Sequence, residues 1–143
     1  MALKLLAGAS GAVRTDYYVT LDADVIALCP PAECWESLLL PESRGAYVDE
    51  SRDVHPHWWD GSSQTLGLEP GAFPAARFGV TPAVLHVAGA QIVVASLRSK
   101  RGADWLHSWL ADFARQSWWS EYTLYRLALD MYVSFLKRAR VVV

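Results

Sequence analysis

An α/β fold with a mostly helical second half is what the sequence predicts, and three stretches predict it. The apolar, helix-forming "ALKLLAGA" (2–9) runs through "SG" into the strand-forming "DYYVTL" (16–21). Two long segments past residue 100, "GADWLHSWLADFAR" and "EYTLYRLALDMYVSFLKRAR", carry apolar residues at helical spacing. The chain has 143 residues, one domain's worth, and a compact body of that size buries roughly two-thirds of its unfolded surface. A composition 52% hydrophobic and 20% charged, with formal net charge −2, argues against disorder and against electrostatic capture of nucleic acid. No internal repeat is visible.

Each element has a local reason. In 2–9 leucine and alanine favour helix, and Ser10-Gly11 ends it; the aromatic and β-branched residues of 16–21 then favour a strand. "VIAL" (25–28) meets "CPP", which stops any strand, and Pro31 can open a helix through "AECWESLLL". "GAYVDE" (45–50) reads as a short strand, and "HPHWWDGSSQTLGL" begins like a helical turn capped by Asp53. Two prolines and two glycines in "EPGAFPAARFG" (69–79) make a loop. Thr81 followed by Pro82 has the form of an N-cap and first helical residue, so "AVLHVAGAQIVVASLRSK" is expected to be helical from its start, with basic residues at its end. Trp105, Leu106, Trp109, Leu110 and Phe113 form an amphipathic stripe, and Ser120 caps a last helix apolar around most of its circumference, hence substantially buried.

Other classes leave weaker traces. Cys29 and Cys34 flank "PPAE", and no second pair completes a four-ligand zinc site, so free thiols or a local disulfide are expected. No segment reaches the roughly 18 uninterrupted apolar residues that span a bilayer, and "MALKLLAGASGAV" has too short an apolar core for a signal peptide. Six of the seven tryptophans cluster as Trp58-Trp59, Trp105/Trp109 and Trp118-Trp119; such rings fill cores or make platforms for sugars and bases.

Chemistry concentrates at the far end of the first strand. Asp22 and Asp24 have the spacing of two residues on one side of a strand, and just beyond its C-terminal edge they can converge on one cation. Carboxylate oxygens suit Mg²⁺ or Mn²⁺, and two protein ligands leave coordination positions for substrate phosphates. The plain alternative is a turn at a strand end. "LDADV" also fits the nucleophile loop of haloacid-dehalogenase-like phosphatases, with Asp22 attacking phosphorus and Asp24 as acid/base, but that chemistry calls for a downstream lysine and a later acidic pair.

The string "KLLAGASGAVRTDYYVTLDADVIAL" resembles the central segment of GT-A-fold glycosyltransferases, in which a helix precedes a strand ending in the D-x-D that binds the metal of a nucleotide-sugar. "HPHWWDGSSQTLGL", "FGVTPAVLH" and "WWSEYTLYRLAL" continue the likeness in order, over residues 4 to 130, to a glycosyltransferase-like group with D-x-D, V-T-P and S/T-E-Y-x-L-Y. The resemblance implies a GT-A-like, Rossmann-like partial sheet and transfer of a sugar from a nucleotide-sugar donor to a carbohydrate or other hydroxyl acceptor with Mn²⁺ or Mg²⁺. It implies Asp24 as metal ligand and Asp22 on the metal or the donor ribose. The nucleoside-binding portion of such a domain would precede residue 4, so a single, incomplete domain is expected, with a second copy or a partner covering the exposed sheet edge. A secretory or Golgi setting follows only for a full-length eukaryotic parent; otherwise the compartment stays open. A catalytically inactive remnant serving as a binding module is the non-enzyme alternative.

Glu121, in "SEY", is the candidate general base for the acceptor hydroxyl. Its structural alternative is simpler: an acid directly after an N-cap offsets the helix dipole. The remaining candidates for substrate contact are His55, Trp58, Trp59, Thr81, Trp118 and Tyr125, the last one turn after Glu121 and so on its face. His55, His57 and His86 are possible further metal ligands, with His86 expected on an apolar helix face beside Ala90, Val93 and Leu97.

Overall fold

The computed structural model describes residues 2–24, 30, 55–69, 71, 83–114 and 119–140. Among them the chain is mixed α/β and mostly helical: α1 (Ala2–Ala9), β1 (Tyr17–Thr20), α2 (Pro56–Thr65), β2 (Ala83–His86), α3 (Val87–Arg101), α4 (Trp105–Ala114) and α5 (Glu121–Arg140). The expected helix after Pro31, the strand at 45–50, most of the loop at 69–79, Asp53, Thr81, Trp118 and both cysteines lie outside the described residues.

Among the described residues, β1 and β2 form a two-stranded antiparallel sheet, with Tyr17 opposite His86 and Thr20 opposite Ala83. This corrects the expectation that residues 83 onward are helical from the start. Ala83, Val84 and Leu85 are buried in the strand, and helix begins only at Val87, whose N–H donates to Asp16 O at 2.8 Å. Pairing with β1 satisfies backbone groups that a local helix would have satisfied itself, and β-branched Val84 suits the strand. The cap of α3 is therefore His86 and not Thr81: its Nδ1 accepts from Ala88 N–H at 3.0 Å. His86 thus stands at the strand-to-helix junction, off the face of Ala90, Val93 and Leu97, and its ring meets Tyr17 edge-on with centroids 4.6 Å apart.

The cap of α2 is likewise His55 rather than Asp53, because Pro56 takes the first helical position with its pre-set φ. Ser120 caps α5 as expected, its Oγ accepting from Tyr122 N–H at 3.3 Å. The stripe on α4 divides: Trp105 and Trp109 are buried, whereas Leu106 and Leu110 are exposed. The first half of α5 is buried as its composition suggests, and Tyr132 and Val133 in the second half are exposed.

Helix α3 is the centre of packing, with α1, α4 and α5 against it, while α2 and α1 also rest on α5. Leu5, Leu66, Leu85, Val93, Leu97, Trp109 and Leu124 are fully buried in one apolar cluster. Trp109 stacks on Trp119 with ring centroids 4.8 Å apart, joining α4 to the segment that leads into α5. Among the described residues no helix is long and apolar enough to cross a membrane.

Candidate functional site

Helix α1 and strand β1 run past one another, so that Lys4, near the start of the helix, meets the end of the strand. Tyr18 fixes this alignment. Its hydroxyl donates to Lys4 O at 2.9 Å, and its ring lies so close to Gly8 that a Cβ there would sit 2.6 Å from it. Only glycine lets the helix approach the ring this closely.

The Lys4 ammonium then sits among oxygens from two distant parts of the chain. It pairs with Asp22 Oδ1, lies 2.8 Å from Glu121 Oε1, and donates to the Tyr122 hydroxyl at 2.9 Å, with the Tyr122 ring centroid 4.8 Å away. The Tyr122 hydroxyl is 3.2 Å from Thr20 Oγ1, which donates to Ala83 O at 3.3 Å. Because Thr20 uses its proton on that carbonyl, Tyr122 donates to Thr20 and accepts from Lys4, giving the chain one direction.

Exposure is graded across the cluster. The Glu121 side chain is 3% exposed, Lys4 14% and Asp22 40%. Desolvation pulls the Lys4 proton affinity down, but hydrogen bonds to Asp22, Glu121 and Tyr122, together with the Glu121 charge, outweigh it and hold Lys4 above the usual lysine value. The lysine therefore stays a cation at neutral pH.

The start of α5 gathers the other sequence motifs. Thr123 Oγ1 is 2.6 Å from Ser62 Oγ and donates to Trp58 O at 3.3 Å, tying "HPHWW" to the residues next to Glu121. His55 stacks on Trp58 with centroids 3.9 Å apart, and His57 meets both rings edge-on. Trp59, by contrast, is 3% exposed and belongs to the core. Tyr125 is buried too: its hydroxyl accepts from His86 N–H at 3.0 Å and its ring lies against Gly89. Burial pushes its phenol above the ordinary range.

Of the residues singled out by sequence, Asp22 and Glu121 thus share one partner, and Trp58 is anchored two residues from Glu121. Asp24 is exposed in the turn after β1. Tyr125 shares the helix face of Glu121 but is turned to the β2–α3 junction. Among the described residues no three histidine, cysteine or acidic side chains surround one point. A hard divalent ion at Asp24 and Asp22 would take further ligands from substrate phosphate and water, as magnesium-type sites do.

Sequence reasoning passed over Lys4, Tyr122 and Thr20. A signal existed for the first: Lys4 is the one charged residue of "ALKLLAGA", and a lone cation in an apolar helix that packs on a core calls for an acidic partner.

Residues 2–139 match a family described as of unknown function, DUF6492. No curated protein and no solved structure matches the chain.

Proposed function

We propose that this chain, which belongs to the family of unknown function DUF6492, is a metal-dependent, glycosyltransferase-like protein of GT-A type that takes a nucleotide-sugar donor and a hydroxyl acceptor. The observation that carries the reading is the convergence of Asp22 from the D-x-D end of β1 and Glu121 from "SEY" on a single ammonium. Two motifs about a hundred residues apart that meet at one charged site, at the end of a strand, are what a donor-and-acceptor cleft requires.

In this reading Asp24, exposed beyond the strand, holds Mn²⁺ or Mg²⁺, with Asp22 beside it on the metal or the ribose. The ion, when bound, neutralises the diphosphate leaving group. His55 and Trp58 offer an aromatic face to a sugar. Glu121 lies on the acceptor side; 3% exposed and bound to Lys4, it can deprotonate a hydroxyl only once the acceptor displaces that ammonium.

Calorimetric titration of Mn²⁺ with UDP, GDP, ADP or CDP into the wild type and Asp24→Ala tests the proposal. Metal-dependent binding of one nucleotide, lost in Asp24→Ala, is the expected result. Metal binding without nucleotide selectivity, joined by phosphate release from p-nitrophenyl phosphate, would replace it with phosphatase chemistry at Asp22. A folded protein that binds neither ligand would leave a non-catalytic module.

A further inference from the structure

Glu121 has the wrong exposure for a group that meets substrate and the right one for a group that holds another in place. Its carboxylate is 3% exposed, and the ammonium 2.8 Å from it also serves Asp22, which is 40% exposed at the strand end. Tyr122, its neighbour on α5, accepts a second ammonium proton at 2.9 Å while its own hydroxyl reaches Thr20 on β1 at 3.2 Å. A lysine ammonium has three protons on a flexible stem. With two of them directed to Glu121 and Tyr122, the third is left aimed at Asp22, so the long side chain has one orientation instead of many.

We infer that Glu121 and Tyr122 are positioning residues that act on Asp22 through the Lys4 ammonium, setting the direction and charge environment of that carboxylate from the far end of the chain. The relay runs from the buried start of α5, through α1, to the end of β1. It exists in the ligand-free chain; what it does for a ligand rests on the reading of Asp22 and Asp24 as the donor site. The role differs from that of a general base: Glu121 acts through the ammonium it holds, whereas a base would first need that ammonium displaced by the acceptor.

The test is the ¹³Cγ resonance of Asp22, read at one fixed pH in the full, ligand-free chain for the wild type, Lys4→Met, Glu121→Gln, Tyr122→Phe and the double variant Lys4→Met/Glu121→Gln. The ¹H–¹⁵N spectrum of each shows that it is folded. Glu121→Gln is expected to move Asp22 in the same direction as Lys4→Met, Tyr122→Phe to move it less, and the double variant to move it no further than Lys4→Met alone, because both act on one path. If either carboxamide or methionine variant unfolds, Tyr122→Phe, which keeps the ring and its packing, decides alone. An Asp22 resonance unmoved in Glu121→Gln, or shifts that add in the double variant, overturns the relay.

A second arm separates this inference from the functional reading. With Mn²⁺ and UDP as probes, Glu121→Gln is expected to weaken nucleotide binding about tenfold, and to do so only when Lys4 is present. Loss of sugar transfer in Glu121→Gln with unchanged nucleotide binding and an unchanged Asp22 resonance would overturn the relay in favour of a general base. If the wild type binds no nucleotide of the panel, the donor-site reading falls, while the Asp22 resonance still decides the relay.

Discussion

Single atoms set the close approaches that hold this chain together. A Cβ at Gly89 would lie 2.5 Å from the Tyr125 hydroxyl, which is itself held by His86 N–H. Gly89→Ala must therefore push the ring away and break that bond, at a cost of about 1–3 kcal/mol readable from urea unfolding; an unchanged midpoint would mean that the ring has room to move. Lys4→Met should cost about 3 kcal/mol, because it leaves the Glu121 carboxylate buried without its cation, and Glu121→Gln should cost less, since the carboxamide still accepts from the ammonium. Equal losses would show that the ion pair contributes little beyond its hydrogen bonds. Asp22, Asp24 and Glu121 were visible as candidates in the sequence because carboxylates at a strand end or helix start have few common uses. Lys4 carries only the weaker signal of a lone charge in an apolar helix, because a lysine in a helix is usually a solvated residue, and its partners lie 18 and 117 positions away by numbering, from Lys4 to Asp22 and to Glu121.

Elements follow the sequence where their signals are local. The boundaries of α1 follow from its composition and Ser10-Gly11, and α5 starts where Ser120 supplies a cap. Ser120→Ala should accordingly destabilise by about 0.5–2 kcal/mol, seen as a lower thermal midpoint and earlier exchange of the amides at the start of α5. Strand β2 departs from its local signal for the opposite reason. "TPAVLH" carries a helix-start signal, but Ala83–His86 pairs with residues more than sixty positions earlier, and no window of local sequence contains that partner. The same pairing moved the cap of α3 to His86. On α4, periodicity identified the helix but overstated its buried face, because α3 covers only the Trp105/Trp109 side.

For the whole molecule, α3 sits at the centre and α5 ties its periphery together: consecutive residues at its start reach α1, β1, α2 and the β2–α3 junction. That arrangement explains "SEYTLY" as a packing hub whether or not it serves chemistry. Three groups, Lys4 on α1, Tyr18 on β1 and Tyr125 on α5, also give the fold a common response to alkali. Lys4 keeps its proton more tightly when folded because its oxygen partners outweigh desolvation, and Tyr18 and Tyr125 do so because burial disfavours the phenolate. A folded-state affinity raised above the unfolded value gives stability that is complete below the unfolded value and is lost as pH rises through the folded one. The urea midpoint should hold near neutrality and fall above about pH 10, where unfolded tyrosine and lysine release protons. A midpoint that stays level to pH 11 would contradict the burial of these groups.

The sequence by itself determined the mixed α/β class, the helical second half, the break after α1, the Ser120 cap of α5, and the acidic character of the strand end. These depend on interactions within a few positions, where spacing and side-chain type are sufficient. Only the tertiary structure decided that Ala83–His86 is a strand, that Tyr125 serves the β2–α3 junction, and that Asp22 and Glu121 share the Lys4 ammonium. Each is a contact between segments far apart in the chain, selected by burial and by the need of buried polar groups for partners, and neither condition exists until the segments have come together.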